Sequence, residues 1–326
     1  MELVLACDLG GTNLRMAAVD GDGRIRHRLK VETPKTDRAA EIVRAMTEAA
    51  SECREQVKEI GSVRAIAAAV PATVNAGQGL IMKAPNVPAL DGFRFSSALA
   101  SELNLPCVLE NDANAAAIGE QTFGAAKGFK SAIAVTLGTG VGGGIVIDDK
   151  ILRGADGTAG EIGHICVEPY GAPCGCGSRG CVEQYSSATA IVRLAHELES
   201  QYPKSVLRGR ARLTSADVYA AGKAGDDLAL EVFRQMGFYL GIALAGLINV
   251  LNPETIVIGG GASAGWDLFI PHTSEQIRQR AYREPAARAR LVPAALGDDA
   301  GILGAARLAF EAAAPNRQVV VPTGKN

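Results

Sequence analysis

The stretch Leu3-Val4-Leu5-Ala6-Cys7-Asp8-Leu9-Gly10-Gly11-Thr12 is the most informative part of this sequence, because a second stretch of the same design follows much later in the chain. In the first stretch an apolar strand runs into a glycine turn, and a second apolar run follows the turn. The later copy has its strand at residues 132–135 and its turn at Leu137-Gly138-Thr139-Gly140. Each copy then continues toward a third short apolar run, at Ile25 and at Ile151. Two hairpins of one design predict two related domains, each with a glycine turn aimed at a shared cleft.

Helical periodicity and short buried strands alternate along the rest of the chain. We predict helices at residues 38–58, 95–103, 113–121, 187–198, 228–251 and 301–313, with another after Thr214-Ser215-Ala216-Asp217. The predicted strands are residues 63–70, 107–109 and 255–258. Strands that alternate with helices are typical of an α/β fold, here with largely parallel sheets. The tail from Pro315 has no periodicity, and we expect it to be mobile.

The charge balance and the apolar runs limit the partners that we expect. Lys and Arg number 33 and Asp and Glu number 35, so no net field attracts nucleic acid or a membrane surface. The first residues lack the features of a signal peptide. The longest apolar run, Met236 to Leu251, is shorter than a membrane span and contains Asn249, which predicts a buried helix whose glycines allow close packing. We therefore expect a cytoplasmic protein with no nucleic-acid partner and no membrane partner.

The glycine turns are candidate phosphate sites, since backbone N–H groups reach phosphate oxygens only where no Cβ obstructs them. The turn Asp8-Leu9-Gly10-Gly11-Thr12-Asn13 adds the hydroxyl of Thr12 as a donor. Asp8 offers a carboxylate to Mg²⁺ through water, because Mg²⁺ keeps several of its waters. In this interpretation Gly138-Thr139-Gly140 faces the same phosphates, and adenosine lies on the bare backbone of Gly259-Gly260-Gly261. A single glycine turn of this kind is more often only a hairpin. The presence of two matching turns and a third glycine cluster favours a nucleotide-binding site.

Four ligand-type side chains lie in one glycine-rich loop: His164, Cys174, Cys176 and Cys181. Three thiolates and one imidazole are a tetrahedral Zn²⁺ set, and they leave no position for a catalytic water. We therefore predict a structural zinc ion; the alternative is a loop of reduced thiols. The seven cysteines suit a reducing compartment without disulfides, and we assign no metal role to the remaining four, Cys7, Cys53, Cys107 and Cys166.

Carboxylates and amides at two further places could bind a substrate. Glu161 and Glu183 bracket the cysteine loop, where fixed carboxylates can recognise the donors and acceptors of sugar hydroxyls; the alternative is that both are surface acids. Asn111-Asp112 ends a predicted strand and opens a helix, the usual ligand position in an α/β sheet. The alternative there is an ordinary helix cap. The helix N-terminus also favours an ionised Asp112.

These residues together resemble the ROK family of sugar kinases and related repressors, within the actin-like ATPase superfamily. The most specific part is Gly160-Glu161-Ile162-Gly163-His164, followed by Cys174-Gly175-Cys176-Gly177-Ser178-Arg179-Gly180-Cys181-Val182-Glu183. The other family motifs match Asp8 to Arg15, Asn111 to Ala116, Gly138 to Gly144, Gly259 to Gly261 and Asp298 to Ala306. The match covers nearly the whole chain.

The resemblance implies an actin-like ATPase (ribonuclease H-like) α/β fold with two related domains around a cleft. We expect a smaller domain of residues 1–116 plus 302–326, and a larger one of residues 117–301 with the zinc loop. The implied activity is phosphorylation of a hexose at its C6 hydroxyl by ATP and Mg²⁺, in a dimer or tetramer. Asp112 is the implied catalytic base, and the implied sugar ligands are Asn86, Asn111, Glu161, His164 and Glu183. The implied nucleotide site comprises Asp8, Gly10, Gly11, Thr12, Asn13, Gly138, Thr139, Gly140, Gly260 and Gly261.

Two departures from the family's glucokinases lie around the implied sugar site. Those enzymes usually carry Pro-Gly where this chain has Pro71-Ala72, and often Trp where this chain has Leu90. We expect glucose as the sugar substrate, with fructose, mannose, N-acetylmannosamine or allose as the alternative. The sequence does not distinguish ATP from polyphosphate as the phosphoryl donor. A repressor is not expected, because its helix-turn-helix precedes the phosphate strand, which here begins at Leu3. A non-catalytic relative of actin would need neither Asn111-Asp112 nor the zinc loop.

Overall fold

The computed structural model describes residues 1–314, so the tail that we predicted to be mobile lies outside the described residues. The chain divides into two compact units. Unit 1 comprises Met1–Phe123, Arg153–Ala159 and the described residues from Asp299 onward, and unit 2 comprises Gly124–Leu152 and Gly160–Asp298. The chain therefore passes from unit 1 to unit 2, returns briefly at Arg153 and leaves again after Ala159.

The predicted helices and strands are all present, with bounds within a few residues of those expected, and the structure adds several elements that were not predicted. The strands are β1 (Glu2–Leu9), β2 (Asn13–Asp20), β3 (Ile25–Glu32), β4 (Ser62–Val70), β5 (Thr73–Asn75), β6 (Leu80–Lys83), β7 (Cys107–Asn111), β8 (Ala132–Leu137), β9 (Val141–Ile147), β10 (Lys150–Ile151), β11 (Thr255–Gly259) and β12 (Arg290–Pro293). The helices are α1 (Ala39–Val57), α2 (Phe95–Leu103), α3 (Asp112–Phe123), α4 (Glu183–Ser186), α5 (Ala188–Leu198), α6 (Ser215–Lys223), α7 (Asp227–Leu251), α8 (Trp266–Arg280), α9 (Arg283–Arg288) and α10 (Ala300–Ala313).

Each unit contains a five-stranded sheet, and the two sheets have the same topology. The strand order is β3-β2-β1-β4-β7 in unit 1 and β10-β9-β8-β11-β12 in unit 2. In both sheets the two hairpin pairings are antiparallel and the next two pairings are parallel. The predicted repeat is confirmed. The expectation of largely parallel sheets holds for only half of the pairings, because tight turns join neighbouring strands antiparallel.

The parallel strands of unit 1 bring residues distant in sequence to one edge of the sheet. Asp8 in β1 pairs in register with Ala69 in β4, and Ala69 pairs with Glu110 in β7. The carboxyl ends of parallel strands lie at the same edge, which is where ligands bind in α/β sheets. The first glycine turn and Asn111 therefore leave the sheet on the same side.

Helix α10 packs against α3 in unit 1 at two glycines. A Cβ atom built on Gly304 would lie 1.7 Å from the carbonyl oxygen of Ala115, and one built on Gly119 would lie 2.2 Å from that of Ala300. Both carbonyl oxygens belong to the backbone, so a side chain at either glycine must separate the two helices. This contact holds the C-terminal helix against the helix that begins at Asp112.

Replacing Gly304 with alanine is expected to destabilise unit 1 by about 3 kcal/mol, because the added methyl group overpacks the contact between α10 and α3. Gly246→Ala is the matched control: this exposed glycine in α7 has no neighbour within 4 Å of a built Cβ. Alanine there favours the helix by up to about 1 kcal/mol. Urea unfolding curves measure both changes, and equal stability of the two variants would contradict the close packing.

Helix α7 is the central helix of the unit 2 core. Met236, Leu240, Leu244 and Ile248 are fully buried. Two of its glycines, Gly237 and Gly241, contact α8: a Cβ on Gly237 would lie 2.3 Å from the carbonyl oxygen of Phe269. The prediction of a buried, closely packed helix is confirmed. Among the described residues α7 is also the one helix long and apolar enough to cross a membrane by length and composition, but 61% of its most apolar window is buried within the protein.

Candidate functional site

Asn111 and Asp112 stand at the junction of β7 and α3 in unit 1. Oδ1 of Asn111 accepts hydrogen bonds from the backbone N–H groups of Ala113 (2.9 Å) and Asn114 (3.1 Å), so Asn111 caps the helix. Its amide Nδ2 donates to the carbonyl oxygen of Ala72 at 3.1 Å. Oδ1 of Asp112 accepts from the N–H of Ala113 at 2.9 Å. Of the two residues, Asn111 is therefore the helix cap. Asp112 occupies the first helical position, where the helix dipole favours its charge.

The first glycine turn is closed by its own backbone and held by a threonine. The N–H of Gly10 donates to the carbonyl oxygen of Asn13 at 2.8 Å. The buried Thr33 donates its hydroxyl to the carbonyl oxygen of Gly10 at 2.7 Å and its N–H to that of Thr12 at 2.9 Å. Thr33, the residue directly after β3, therefore fixes the turn. Nothing in the spacing of the sequence pointed to this residue.

Asp8 and Asn86 both lie against this turn. Asp8, in β1, forms an ion pair with Arg15 in β2 at 2.8 Å. A Cβ built on Gly11 would lie 3.2 Å from both Cβ and the carbonyl oxygen of Asn86. The structure therefore brings a predicted phosphate turn into contact with a predicted sugar ligand within unit 1.

The loop that carries Asn86 is braced by Asp91. Oδ1 of Asp91 accepts from the N–H of Ala84 at 2.7 Å, and its carboxylate forms an ion pair with Lys83. The hydrogen bond from Lys83 lowers the pKa of Asp91 most, and the bond from the N–H of Ala84 lowers it further. The loop continues into a short 3-10 helix, Pro88–Leu90, whose Leu90 is buried. Leu90 thus belongs to the packing under the loop.

In unit 2 the second glycine turn lies against a carboxylate. The N–H of Gly138 donates to the carbonyl oxygen of Gly140 at 2.9 Å. Oε2 of Glu183 accepts from the N–H of Val141 at 3.0 Å, and a Cβ built on Gly140 would lie 2.3 Å from the same oxygen. Glu183 is therefore more than a surface acid, because it braces the turn that we predicted to face phosphate.

The third glycine cluster lies beside the second turn. Gly260 has a φ of +86°, and its Cβ would lie 2.6 Å from the backbone nitrogen and carbonyl oxygen of Leu137, the residue before Gly138. Only glycine fits this close approach. The two glycine segments predicted to contact nucleotide in unit 2 are therefore neighbours in space.

His164, Cys174, Cys176 and Cys181 form a compact cluster in unit 2, with all four ligand atoms within 4.8 Å of one another. Sγ of Cys176 lies 3.7 Å from Sγ of Cys181, and Nδ1 of His164 lies 3.7 Å from Sγ of Cys174. Two thiolates on one tetrahedral Zn²⁺ lie about 3.8 Å apart, since each Zn–S bond is about 2.3 Å. The spacing of the donor atoms therefore fits a zinc ion. The exposed Cys166 stands across a β-bridge from Cys181 but lies outside the cluster.

The local backbone explains how the cysteine loop turns so tightly. Gly177 and Gly180 have φ angles of +91° and +64°, and a Cβ on Gly180 would lie 1.6 Å from the carbonyl oxygen of Glu168. Burial raises the pKa of Cys181 to about 12, whereas the N–H of Ser178 lowers the pKa of Cys176. A metal that binds here must therefore displace a proton from a buried thiol.

The two ring nitrogens of His164 have different neighbours. Its Nδ1 points into the cysteine cluster, while its Nε2 lies 3.9 Å from Oε2 of Glu161. The side chain of Glu161 is 58% exposed, so it is accessible to a ligand from solvent. One imidazole can thus serve the metal through Nδ1 and leave Nε2 beside a carboxylate.

The sequence model of the ROK family matches residues 4–312. The chain belongs to the ROK family. A ROK relative named glucokinase from Halalkalibacterium halodurans is 40% identical over 91% of this chain and 92% of its own. A ROK glucokinase from Streptomyces griseus, solved with glucose and AMPPNP, has a TM-score of 0.78 and 35% identity, covering 95% of this chain and 99% of that one. A ROK transcriptional regulator homologous to the Mlc protein of E. coli has a TM-score of 0.88 and 27% identity, covering 96% of this chain and 78% of that one. These neighbours confirm the ROK resemblance and the actin-like ATPase fold that it implied.

Proposed function

We propose that this ROK protein is an ATP-dependent glucokinase that transfers the γ-phosphoryl group to the C6 hydroxyl of glucose. The observation that supports this most strongly is the shared sheet edge in unit 1. There the first glycine turn follows β1 and the Asn111-Asp112 pair follows β7, two parallel strands of one sheet that β4 separates. A phosphate-binding turn and a candidate base on one edge are what transfer to a hydroxyl requires. The name and bound ligands of the Streptomyces griseus relative point to the same activity.

Asp112 is the proposed general base. Its carboxylate at the start of α3 accepts the proton of the sugar hydroxyl as that oxygen meets the γ-phosphate in line. The hydroxyl is held by groups around it, since phosphoryl transfer depends mainly on positioning. The proposed sugar ligands are Asn86, Asn111, Glu161, His164 and Glu183.

The proposed nucleotide site uses the backbone donors of the glycine segments. In unit 1 these are Gly10, Gly11, Thr12 and Asn13, and in unit 2 they are Gly138, Thr139, Gly140, Gly260 and Gly261. Asp8 fits an outer-shell Mg²⁺ ligand, and Arg15 holds its carboxylate in place at 2.8 Å. Mg²⁺, when bound, offsets the charge of the phosphates.

The proposed role of the cysteine cluster is to hold a structural Zn²⁺. Four protein ligands complete a tetrahedron, so the ion supplies rigidity and no open coordination site. It would fix His164 and the start of α4, where Glu183 lies. Free thiols in this number support a reducing compartment, and we infer a cytoplasmic enzyme. We also propose that units 1 and 2 correspond to the two expected domains and that the chain forms a homo-oligomer.

A coupled ADP-release assay over a panel of hexoses tests this proposal. We expect glucose to stimulate ADP release most among glucose, fructose, mannose, N-acetylmannosamine and allose. The alternative is a ROK kinase for another of these sugars. It is favoured by Ala72, which carries a Cβ where family glucokinases have glycine and whose carbonyl holds Asn111. Polyphosphate replaces ATP in a parallel arm. If no sugar raises ADP release above the ATP-only background, the kinase proposal is wrong.

A further inference from the structure

A buried carboxylate stands directly before the proposed base. The side chain of Glu110, in β7, is 1% exposed, yet both of its oxygens have partners. Oε2 accepts from Nε and Nη2 of Arg153 at 2.9 and 2.6 Å. Oε1 accepts from the backbone N–H of Asn111 at 3.1 Å and from Nδ2 of Asn114 at 3.0 Å. The carboxylate therefore holds the chain on both sides of Asp112.

Arg153 reaches Glu110 from a segment that belongs to unit 1 but is flanked on both sides by unit 2 in sequence. This segment, Arg153–Ala159, is locked in place. The N–H of Ala159 donates to the carbonyl oxygen of Arg153 at 3.1 Å. Gly157 has a φ of +98°, and a Cβ there would lie 2.2 Å from the carbonyl oxygen of Val74. The backbone of this segment therefore fixes the position of the guanidinium group beside Glu110.

The chemistry of this pair favours a role beyond stability. A buried ion pair is often no more stabilising than apolar residues of the same volume, because both charges must leave water. Its geometry, however, is specific: the guanidinium fork fixes one oxygen of Glu110 through two donors, so the other oxygen has a defined position. That second oxygen bonds to the two residues that bracket the Asp112-Ala113 start of α3. Misplacing a reacting group by about 1 Å costs about 10²-fold in rate.

We propose that Glu110 and Arg153 are positioning residues for phosphoryl transfer, which place Asn111 and Asp112 without touching the hexose themselves. This inference rests on the proposed function, in which Asp112 is the base. Arg153 fixes the carboxylate of Glu110, and that carboxylate bonds to residues on both sides of Asp112. The carboxyl group of Asp112 is thereby placed against the sugar hydroxyl.

The test replaces the guanidinium in steps. Arg153→Met keeps length and removes the charge, and we expect kcat for the preferred hexose to fall about 10²-fold with KM for ATP within about twofold. Arg153→Lys keeps the charge without the fork and is expected to recover part of the loss, leaving kcat about tenfold below that of the unmodified protein. Arg64→Met is the matched control, since Arg64 pairs with Glu2 at the surface of the same unit. We expect its kcat to be unchanged.

A double variant separates positioning from a general structural role. If Arg153 acts mainly through Asp112, adding Arg153→Met to Asp112→Asn lowers the residual rate by less than about tenfold, because the placement of Asp112 no longer matters and only that of Asn111 can still be lost. An additional loss of about 10²-fold in that background would overturn the proposal. So would a kcat for folded Arg153→Met equal to that of the unmodified protein. If Arg153→Met fails to fold, Arg153→Lys decides: a folded lysine variant with unchanged kcat would overturn it equally.

Amide hydrogen exchange gives a readout that needs no turnover. We expect exchange at residues 111–114 to be about tenfold faster in Arg153→Met, with β1 and β4 unchanged. Unchanged exchange at residues 111–114 would contradict positioning. If the unmodified protein releases no ADP with any hexose, it is the proposed function that fails, and the exchange result still decides whether this pair orders the β7–α3 junction.

Discussion

Replacing Asp112 with asparagine is expected to lower kcat for hexose phosphorylation by about 10³-fold and to leave the fold intact. General bases contribute about 10²–10⁴-fold, and an amide cannot accept the sugar proton. The variant keeps the shape of the side chain and the oxygen that accepts from the N–H of Ala113 at 2.9 Å. Substrate binding should therefore change little, with KM for ATP within about twofold. The coupled ADP-release assay measures both constants.

The control for this variant is Asp22→Asn, the same chemical change on an exposed turn between β2 and β3. It should leave kcat unchanged. Circular dichroism, thermal melting and metal content show whether the Asp112 variant is folded. If folded Asp112→Asn retains a kcat within tenfold of the unmodified protein, Asp112 is not the base, and the base must be sought elsewhere on the same sheet edge.

Replacing Cys181 with serine is expected to abolish zinc binding and to lower the melting temperature by about 10 °C. A structural zinc site contributes folding free energy directly, and a hydroxyl is a poor substitute for a thiolate. For a unit of this size that shift corresponds to roughly 3–5 kcal/mol. Cys181 is fully buried in the cluster, so the loop that carries His164 should lose its order with the metal. Elemental analysis and thermal melting measure the two effects.

Cys166→Ser is the matched control, because Cys166 lies across a β-bridge from Cys181 but outside the ligand cluster. It should keep both zinc and melting temperature. Loss of zinc in the control, or its retention in Cys181→Ser, would show that the ligand set is wrong. Zinc uptake by the metal-free protein should also strengthen as pH rises. Burial raises the pKa of Cys181 to about 12, and the thiol must lose its proton to bind.

Local patterns in the sequence predicted the local structure well. The helix expected at residues 95–103 is α2, Phe95–Leu103, and the segment from Thr214 to Asp217 forms a complete capping box at the start of α6. Such features depend on contacts a few residues apart, which spacing expresses directly. Helix α8 was missed. Pro271 lies inside it and its sequence is polar overall, so its periodicity is weak, and its packing against α7 contributes to its stability.

In the candidate site, too, local features were predicted and long-range contacts were not. The four members of the cysteine cluster were all predicted, because their ligand types are crowded into one short loop with the glycines that let it turn. Thr33 and the Glu110–Arg153 pair were not. Arg153 lies 43 residues from Glu110, and a single buried acid or an isolated arginine has no characteristic spacing. Such partners meet only when the sheet of unit 1 has formed in register.

Local sequence was enough to predict the two glycine-turn hairpins, the cysteine cluster and the junction of β7 with α3, because each depends on neighbouring residues. Which of these features come together depends on the packing of the folded chain. Parallel pairing of β1, β4 and β7 put the first glycine turn on the same sheet edge as Asn111-Asp112, and Glu183 contacts the second turn. Both outcomes depend on register and close packing between segments far apart in the chain. For the same reason, the Glu110–Arg153 pair, which bonds to the residues on either side of Asp112, could be found only in the folded protein.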